Sequence, residues 1–163
     1  MEPLAPLETI LPKLHALGVA LPHGALRVSG FGDSAALSSE LLQLIIAGRK
    51  RGGAALLWSY EADNESVPAA GEVEIVLDHR NEPMLITRIS AVEVVPFHAV
   101  SAAFAAREGE GDGSLAFWRA AHWAYFSREC ARLNRQAHDT MPVVCSSFEL
   151  LGVIGPQVSG TVR

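Results

Sequence analysis

Apolar positions recur every three or four residues in some stretches of this chain and alternate or run together in others, and the two rhythms separate helices from strands. Leu7, Leu11, Leu14 and Leu17 follow helical spacing, with Pro6 suited to a first turn and Gly18 to a C-cap. A short amphipathic helix is therefore predicted near the N-terminus, ended by Leu21-Pro22-His23-Gly24. Asp33 and Ser34 are capping residues ahead of Leu37, Leu41, Leu44 and Ile45, a stripe that predicts a second helix ending at Gly48. Ala54 to Tyr60 and Val73 to Asp78 read as strands, Asp78 to Glu82 as a turn, and Met84 to Phe97 as a long strand that bends midway. Ala99 to Arg107 reads as helix and the loop Glu108 to Gly113 interrupts it. Ser114 to about Gln136 makes the longest helix, with Leu115, Trp118, His122, Tyr125 and Leu133 facing inward. Met141 to Ile154 alternates enough for a closing strand. This order predicts an α+β domain whose small mixed sheet closes on itself. Residues 1–24 read as a helical extension, 25–155 as the domain and 156–163 as a tail.

Composition narrows the class. The chain has 163 residues, 49% hydrophobic and 19% charged, with a mean hydropathy of +0.21. That is enough to build one core and it excludes intrinsic disorder. The longest apolar stretches, Leu41 to Ala47 and Val100 to Ala106, fall far short of the roughly 18 residues that cross a bilayer, so no membrane partner is expected. An acidic, Pro-rich start (MEPLAPLE) is unlike a secretory leader. The two cysteines, Cys130 and Cys145, read as reduced thiols. The expected location is cytoplasmic.

The formal charge of −5 is unevenly placed. Residues 61–82 hold Glu61, Asp63, Glu65, Glu72, Glu74, Asp78 and Glu82 against Arg80 alone, a segment that repels phosphates. Arg49, Lys50 and Arg51 stand in succession, and the segment after Gly113 is net positive through Arg119, Arg128, Arg132, Arg135 and Arg163. Binding to long duplex nucleic acid draws on a broad basic face, which this balance does not supply. A nucleoside, a nucleotide or a short RNA suits it better.

Lysine is rare here: Lys13 and Lys50 stand beside eleven arginines. Lys50 lies in GRKRGGA, between a helix end and a strand, where glycines let backbone and ligand approach closely. Such a lysine suits a base when neutral and an oxyanion or phosphate when charged; the plainer reading is a solvated basic turn. The loop EGEGDG sets Glu108, Glu110 and Asp112 at alternate positions. It resembles the first half of a calcium loop, but the twelfth position, where that loop carries a bidentate Glu, is Arg119. A loop of this kind aims a carboxylate into a pocket, or merely caps the next helix through Asp112 or Ser114. His122, Cys130, His138 and Cys145 are spaced too widely for a structural zinc site, so no metal is expected, and His122 reads as a core or pocket histidine. No Walker loop, dinucleotide fingerprint, GxSxG or HExxH is present and no cofactor is expected.

Taken together, FGDS at 31–34, GRK at 48–50, LLWSYE at 56–61, VPAAGE at 67–72, VEVVPF at 92–97, FAAREGEGDGSLAFWRAAHWAYF at 104–126 and MPVVCSSFELL at 141–151 resemble the ASCH-domain family, in its stand-alone bacterial form. The EGEGDxSLxxWRxxH block is the most specific part. The resemblance covers about residues 28–152. It implies a PUA-like fold, a small mixed β-barrel flanked by helices, with a ligand cleft at the GxK loop. It also implies action on RNA or modified nucleosides, as ribonuclease or as acetylcytidine amidohydrolase with a Lys, Thr and Glu set. By position, the lysine is Lys50 and the acid is Glu110, ahead of Glu108. The threonine position is Gly53, and Ala55 stands where relatives carry arginine or serine. Ser34 and Ser114 are the hydroxyls considered as substitutes for the missing threonine.

Two functions follow. One is a binding module, with Lys50, Arg49 and Arg51 on phosphate, Trp58, Tyr60 or Trp118 stacking on a base, and Glu108, Ser114 and His122 completing the pocket. The other is a hydrolase with Lys50 and Glu110 as proton-transfer pair; Gly53 weighs toward binding. Lys50 and Glu110 are expected to share one cleft, and Lys50→Ala to weaken binding without lowering the melting temperature.

Overall fold

The computed structural model describes residues 7–18 and 26–155. Residues 1–6 and 19–24 of the predicted extension, including the Leu21–Gly24 break, and the predicted tail 156–163 lie outside the described residues. The elements are α1 (Leu7–Ala16), β1 (Leu26–Gly30), α2 (Ala35–Ile46), β2 (Gly52–Leu56), α3 (Leu57–Ala62), β3 (Val73–Leu77), β4 (Pro83–Pro96), α4 (Ala102–Glu108), α5 (Leu115–Arg132) and β5 (Pro142–Val153), with a 3₁₀ turn at Phe97–Ala99. The five strands form one sheet in the order β1-β3-β4-β5-β2, in which only β1 and β3 run parallel. The sheet curls into a half-barrel rather than a closed one. Its two edge strands, β1 and β2, do not pair with each other.

Long β4 makes the curl possible. It pairs with β3 through its first half and with β5 along most of its length, and its register with β5 shifts between Ile86 and Thr87 and again between Ile89 and Ala91. Such bulges bend a strand and increase its twist. Three clusters fill the layers. On the outer face, Ile10 and Leu14 of α1 pack on Val73, Ile75 and Ile86. Leu42 and Ile45 of α2 meet Val76, Leu85, Ile89 and Phe148. Trp118, Phe126 and Cys130 of α5 pack on Leu56, Phe97, Met141 and Val143. Of the predicted N-terminal stripe, Leu14 is buried but Leu11 and Leu17 are exposed; Ile10 takes their place because Ile10 and Leu14 are four residues apart on one face.

Two elements differ from the sequence-based expectation. The strand predicted from Ala54 to Tyr60 is β2 only as far as Leu56, and helix α3 follows. Leu56 pairs with Val143, and the next residue of β5 is Pro142, which has no N–H to offer a continuing ladder. Strand β1, with the sequence LRVSG, is an element that the hydrophobic pattern does not predict. Five residues show little periodicity by themselves, and β1 is held by its register with Val73–Leu77.

Candidate functional site

Ser34 caps α2 by accepting a hydrogen bond from the Leu37 N–H, and the helix ends at a glycine in the left-handed region, Gly48 (φ 83°). The next three residues turn back, with Arg49 and Lys50 N–H both donating to the Leu44 carbonyl. Against this turn lies the link between α4 and α5. Gly109 has φ 62°, and a Cβ there would sit 2.0 Å from the Arg49 carbonyl oxygen, so only glycine lets the two loops touch. The Arg51 N–H donates to the Arg107 carbonyl and fixes the same contact. This docking carries Lys50 and the acidic loop into one place.

Lys50 is 1% exposed. Its Nζ donates to Glu108 Oε1 at 2.9 Å and to Glu110 Oε1 at 3.0 Å. Glu108 is equally buried, and its other oxygen accepts from Trp118 Nε1 and lies 3.0 Å from His122 Nε2. His122 Nδ1 lies 2.9 Å from the Trp118 carbonyl one helical turn back, and its ring stacks on the Trp118 indole at 4.1 Å. Both imidazole nitrogens thus face oxygen acceptors, an arrangement in which both donate only when the ring is cationic. Burial alone would raise the Glu108 carboxyl, but the Lys50 ammonium and His122 outweigh it and hold it down to about 2. Glu108, rather than Glu110, is the hub of the cluster. Glu110 is the more accessible acid, at 14% side-chain exposure.

The cluster forms one wall of a cavity of about 300 Å³. The cavity occupies the gap between the unpaired edges of the half-barrel: Arg27, Val28, Ser29 and Gly30 come from β1, and Gly53, Ala54 and Ala55 from β2. Tyr60 of α3, and Tyr125 and Arg128 of α5, complete its rim. Phe31 lies across it, with Lys50 Nζ 5.2 Å from the ring centroid. A Cβ at Gly53 would meet that ring at 3.0 Å, so Phe31 takes up the space beside a threonine's position. The register partner of Gly53 is Ser146, which also lines the cavity. Paired residues of neighbouring strands share a face, so the serine hydroxyl stands beside that position.

Of the residues singled out from sequence, Lys50, Glu108, Glu110, His122 and Tyr60 line this cleft. Trp118 is the buried backing on which His122 stacks and does not reach the cavity surface. Arg49 and Arg51 are not at the cleft: Arg49 is exposed, and Arg51 Nη1 donates to the Ile45 and Lys50 carbonyls at the end of α2. Cations are favoured there because the last helical carbonyls lack partners. Trp58 packs against the α5 core edge, between His138 and the Arg135 guanidinium. Ser34 and Ser114 are both N-caps, their hydroxyls committed to Leu37 and Phe117 N–H, and do not stand in for the threonine. Arg27, Ser29, Glu74 and Arg128 line the cleft without having been singled out. For Glu74 a signal existed. In Val73-Glu74-Ile75-Val76 the acid occupies an inward alternate position, and its 7% exposure shows that it is no solvated member of the acidic segment.

Glu108, Glu110 and His122 bring ligand atoms within 4.8 Å of one another, a set able to hold a metal ion. It differs from the His and Cys set weighed from spacing, since Cys130 and Cys145 are buried free thiols, with burial pushing Cys145 up to about 12. Lys50 Nζ already lies between the two carboxylates, so a cation there would displace the ammonium.

Among the described residues no helix is long and apolar enough to cross a membrane. The ASCH domain family model matches residues 27–152. An ASCH domain from Lactobacillus crispatus JV V101 has a similar structure, with TM-score 0.80 and 27% identity over 93% of this chain and 98% of that one. A protein of Enterococcus faecalis V583 is similar at TM-score 0.77 and 32% identity, over 88% of this chain and 86% of that one. No match was found among curated proteins. With the family pattern spanning the half-barrel, the GRK turn and the acidic loop, the chain belongs to the ASCH-domain family.

Proposed function

We propose that this protein binds a nucleoside, a nucleotide or the end of a short RNA in the seam of the half-barrel. The observation that carries this reading is the cavity itself: about 300 Å³, apolar over much of its wall, with a buried Lys50–Glu108–Glu110–His122 cluster on one side. Concave sites with a few convergent polar groups are where small ligands bind. Lys50 and Glu110 offer a donor and an acceptor at the cavity surface, Tyr60 and Tyr125 offer aromatic rims, and Arg27 and Arg128, paired with Glu72 and Asp33, stand at the edge where a phosphate would exchange with those carboxylates. Asp63, Asp78 and Glu82 line the neighbouring hollow, where they disfavour the backbone of a long polyanion.

A second reading, hydrolysis of a modified nucleoside or of RNA, is favoured by one observation: Ser146 supplies a hydroxyl on the face where Gly53 has no side chain. Lys50 and Glu110 would then serve as the proton-transfer pair. A titration of a short single-stranded RNA at several salt concentrations tests the primary reading. Contacts to two or three phosphates give a log-log slope of about −2, at roughly −0.7 per phosphate, and the recovered RNA is intact. A slope near about −6 means a groove elsewhere on the surface; shortened RNA moves the conclusion to the hydrolase.

A further inference from the structure

The wall of the cleft contributed by β1 and β3 holds a second polar group, separate from the lysine cluster. Glu74 is 7% exposed, on a strand whose neighbours Val73, Ile75 and Val76 are core. Its Oε2 accepts from the Ser29 hydroxyl at 2.9 Å. Its Oε1 has no hydrogen-bond partner among the described residues. No fully enclosed side-chain polar atom there is left unpaired, so this oxygen opens on the cavity that Glu74 lines. Carboxylates are almost never this buried without a partner, and Arg27 does not serve as one. Its Nε donates to Glu72 and its Nη2 to Ser66.

We propose that Glu74, oriented by Ser29, is the base-reading residue of the cleft and selects a heterocycle carrying an exocyclic amino group over one carrying a carbonyl at the same position. This rests on the nucleoside-binding reading above. An ionised carboxylate offers only acceptors, so it takes N–H donors and repels a ring carbonyl. A site built to pair with an N–H rejects the analogue that lacks it, because its own polar atom is then left buried and unpaired.

The charged and titratable groups around Glu74 are Arg27 on β1, Tyr60 on α3, Glu65 in the loop after it and Glu72 on the flank of β3. Burial raises the Glu74 carboxyl above its ordinary value, against the opposing effects of Ser29 and Arg27. A neutral carboxyl has one donor and one acceptor and serves either edge, so selection grows as pH rises through the deprotonation of Glu74.

Binding of two matched probe pairs, cytidine against uridine and adenosine against inosine, is measured by calorimetry from the ordinary carboxyl value of 4.5 upward to about pH 7.5, below the range in which uridine and inosine lose their own ring protons. The parent is expected to favour the amino member of at least one pair by about tenfold or more at the upper pH. In Glu74→Gln, whose amide serves both edges, the preference falls to within about twofold and loses its pH dependence; Ser29→Ala, which leaves the carboxyl free to turn, lowers it partway. Equal affinity within both pairs in the parent, or an undiminished preference in Glu74→Gln, overturns the assignment and leaves the nucleoside site standing. If none of the four nucleosides binds the parent, the assignment falls, while the reading of the seam as a nucleotide or RNA-end site is decided by the salt titration above.

Discussion

Lys50 carries its charge at 1% exposure, held between two carboxylates at the wall of the cavity, and its energetics follow from that. Removing one member of a buried ion pair typically costs about 3–5 kcal/mol, because the remaining charge is left without compensation. Lys50 is fully buried between two carboxylates, so its substitution lowers stability as well as binding, contrary to the expectation from sequence that only binding would suffer. Glu108 sets the pH dependence. Its folded value lies below its ordinary 4.5, at about 2, so its contribution is complete above about pH 4.5 and is lost as pH falls toward about 2. Urea unfolding across that range should show stability declining in the parent. Lys50→Met should start about 3–5 kcal/mol lower at neutral pH and decline less, since its Glu108 has lost the ammonium. A Lys50→Met protein as stable as the parent would show that the cluster is not the buried unit described. Single residues such as Lys50, Glu110 and His122 were visible in sequence because their types and positions are unusual. Which of two glutamates would be the hub was not, since Glu108 and Glu110 differ only in the direction that Gly109 turns the chain.

Between elements, the essential contact is loop on loop, the GRK turn after α2 against the link from α4 to α5. Gly109 and Gly113 both have positive φ, but only Gly109 has a carbonyl oxygen 2.0 Å from where a Cβ would go. Gly113→Ala should cost about 1–2 kcal/mol, the left-handed penalty alone. Gly109→Ala adds the collision with Arg49 and should cost about 2–5 kcal/mol, and it should abolish ligand binding by moving Glu108 and Glu110 off Lys50. Thermal unfolding of the two variants side by side reads the difference, and equal losses would mean that the docking of the loops tolerates a side chain. Most elements could be read from periodicity: α2, β3, β4, α5 and β5 all fall within a few residues of their expected bounds. Strand β1 and the turn from β2 into α3 could not, because each is decided by a partner far along the chain, Val73–Leu77 for one and Pro142 for the other.

At the scale of the whole molecule, the proposed site follows from incomplete closure. A sheet of five strands ordered β1-β3-β4-β5-β2 leaves β1 and β2 as facing edges, and an open edge is a liability unless something covers it or uses it. Here Phe31, Tyr60 and α5 cover the gap incompletely, and what remains is the cavity. The resemblance read from sequence pointed to the PUA-like class and to a cleft at the lysine loop. It did not show that Arg27, Ser29 and Glu74 form the opposite wall, because strand pairing brings them there. Ala121 of α5 lines the cavity without belonging to the lysine cluster, so Ala121→Trp fills the space and leaves the ion pairs alone. The decisive measurement is a thermal-shift panel of ribonucleosides, their monophosphates and a short single-stranded RNA, run on the parent and on Ala121→Trp. A ligand bound only by the folded state raises the melting midpoint with concentration. At least one member of the panel should do so for the parent and none for a folded Ala121→Trp protein, whereas no shift in the parent, or the same shift in both, would contradict a ligand site in the seam.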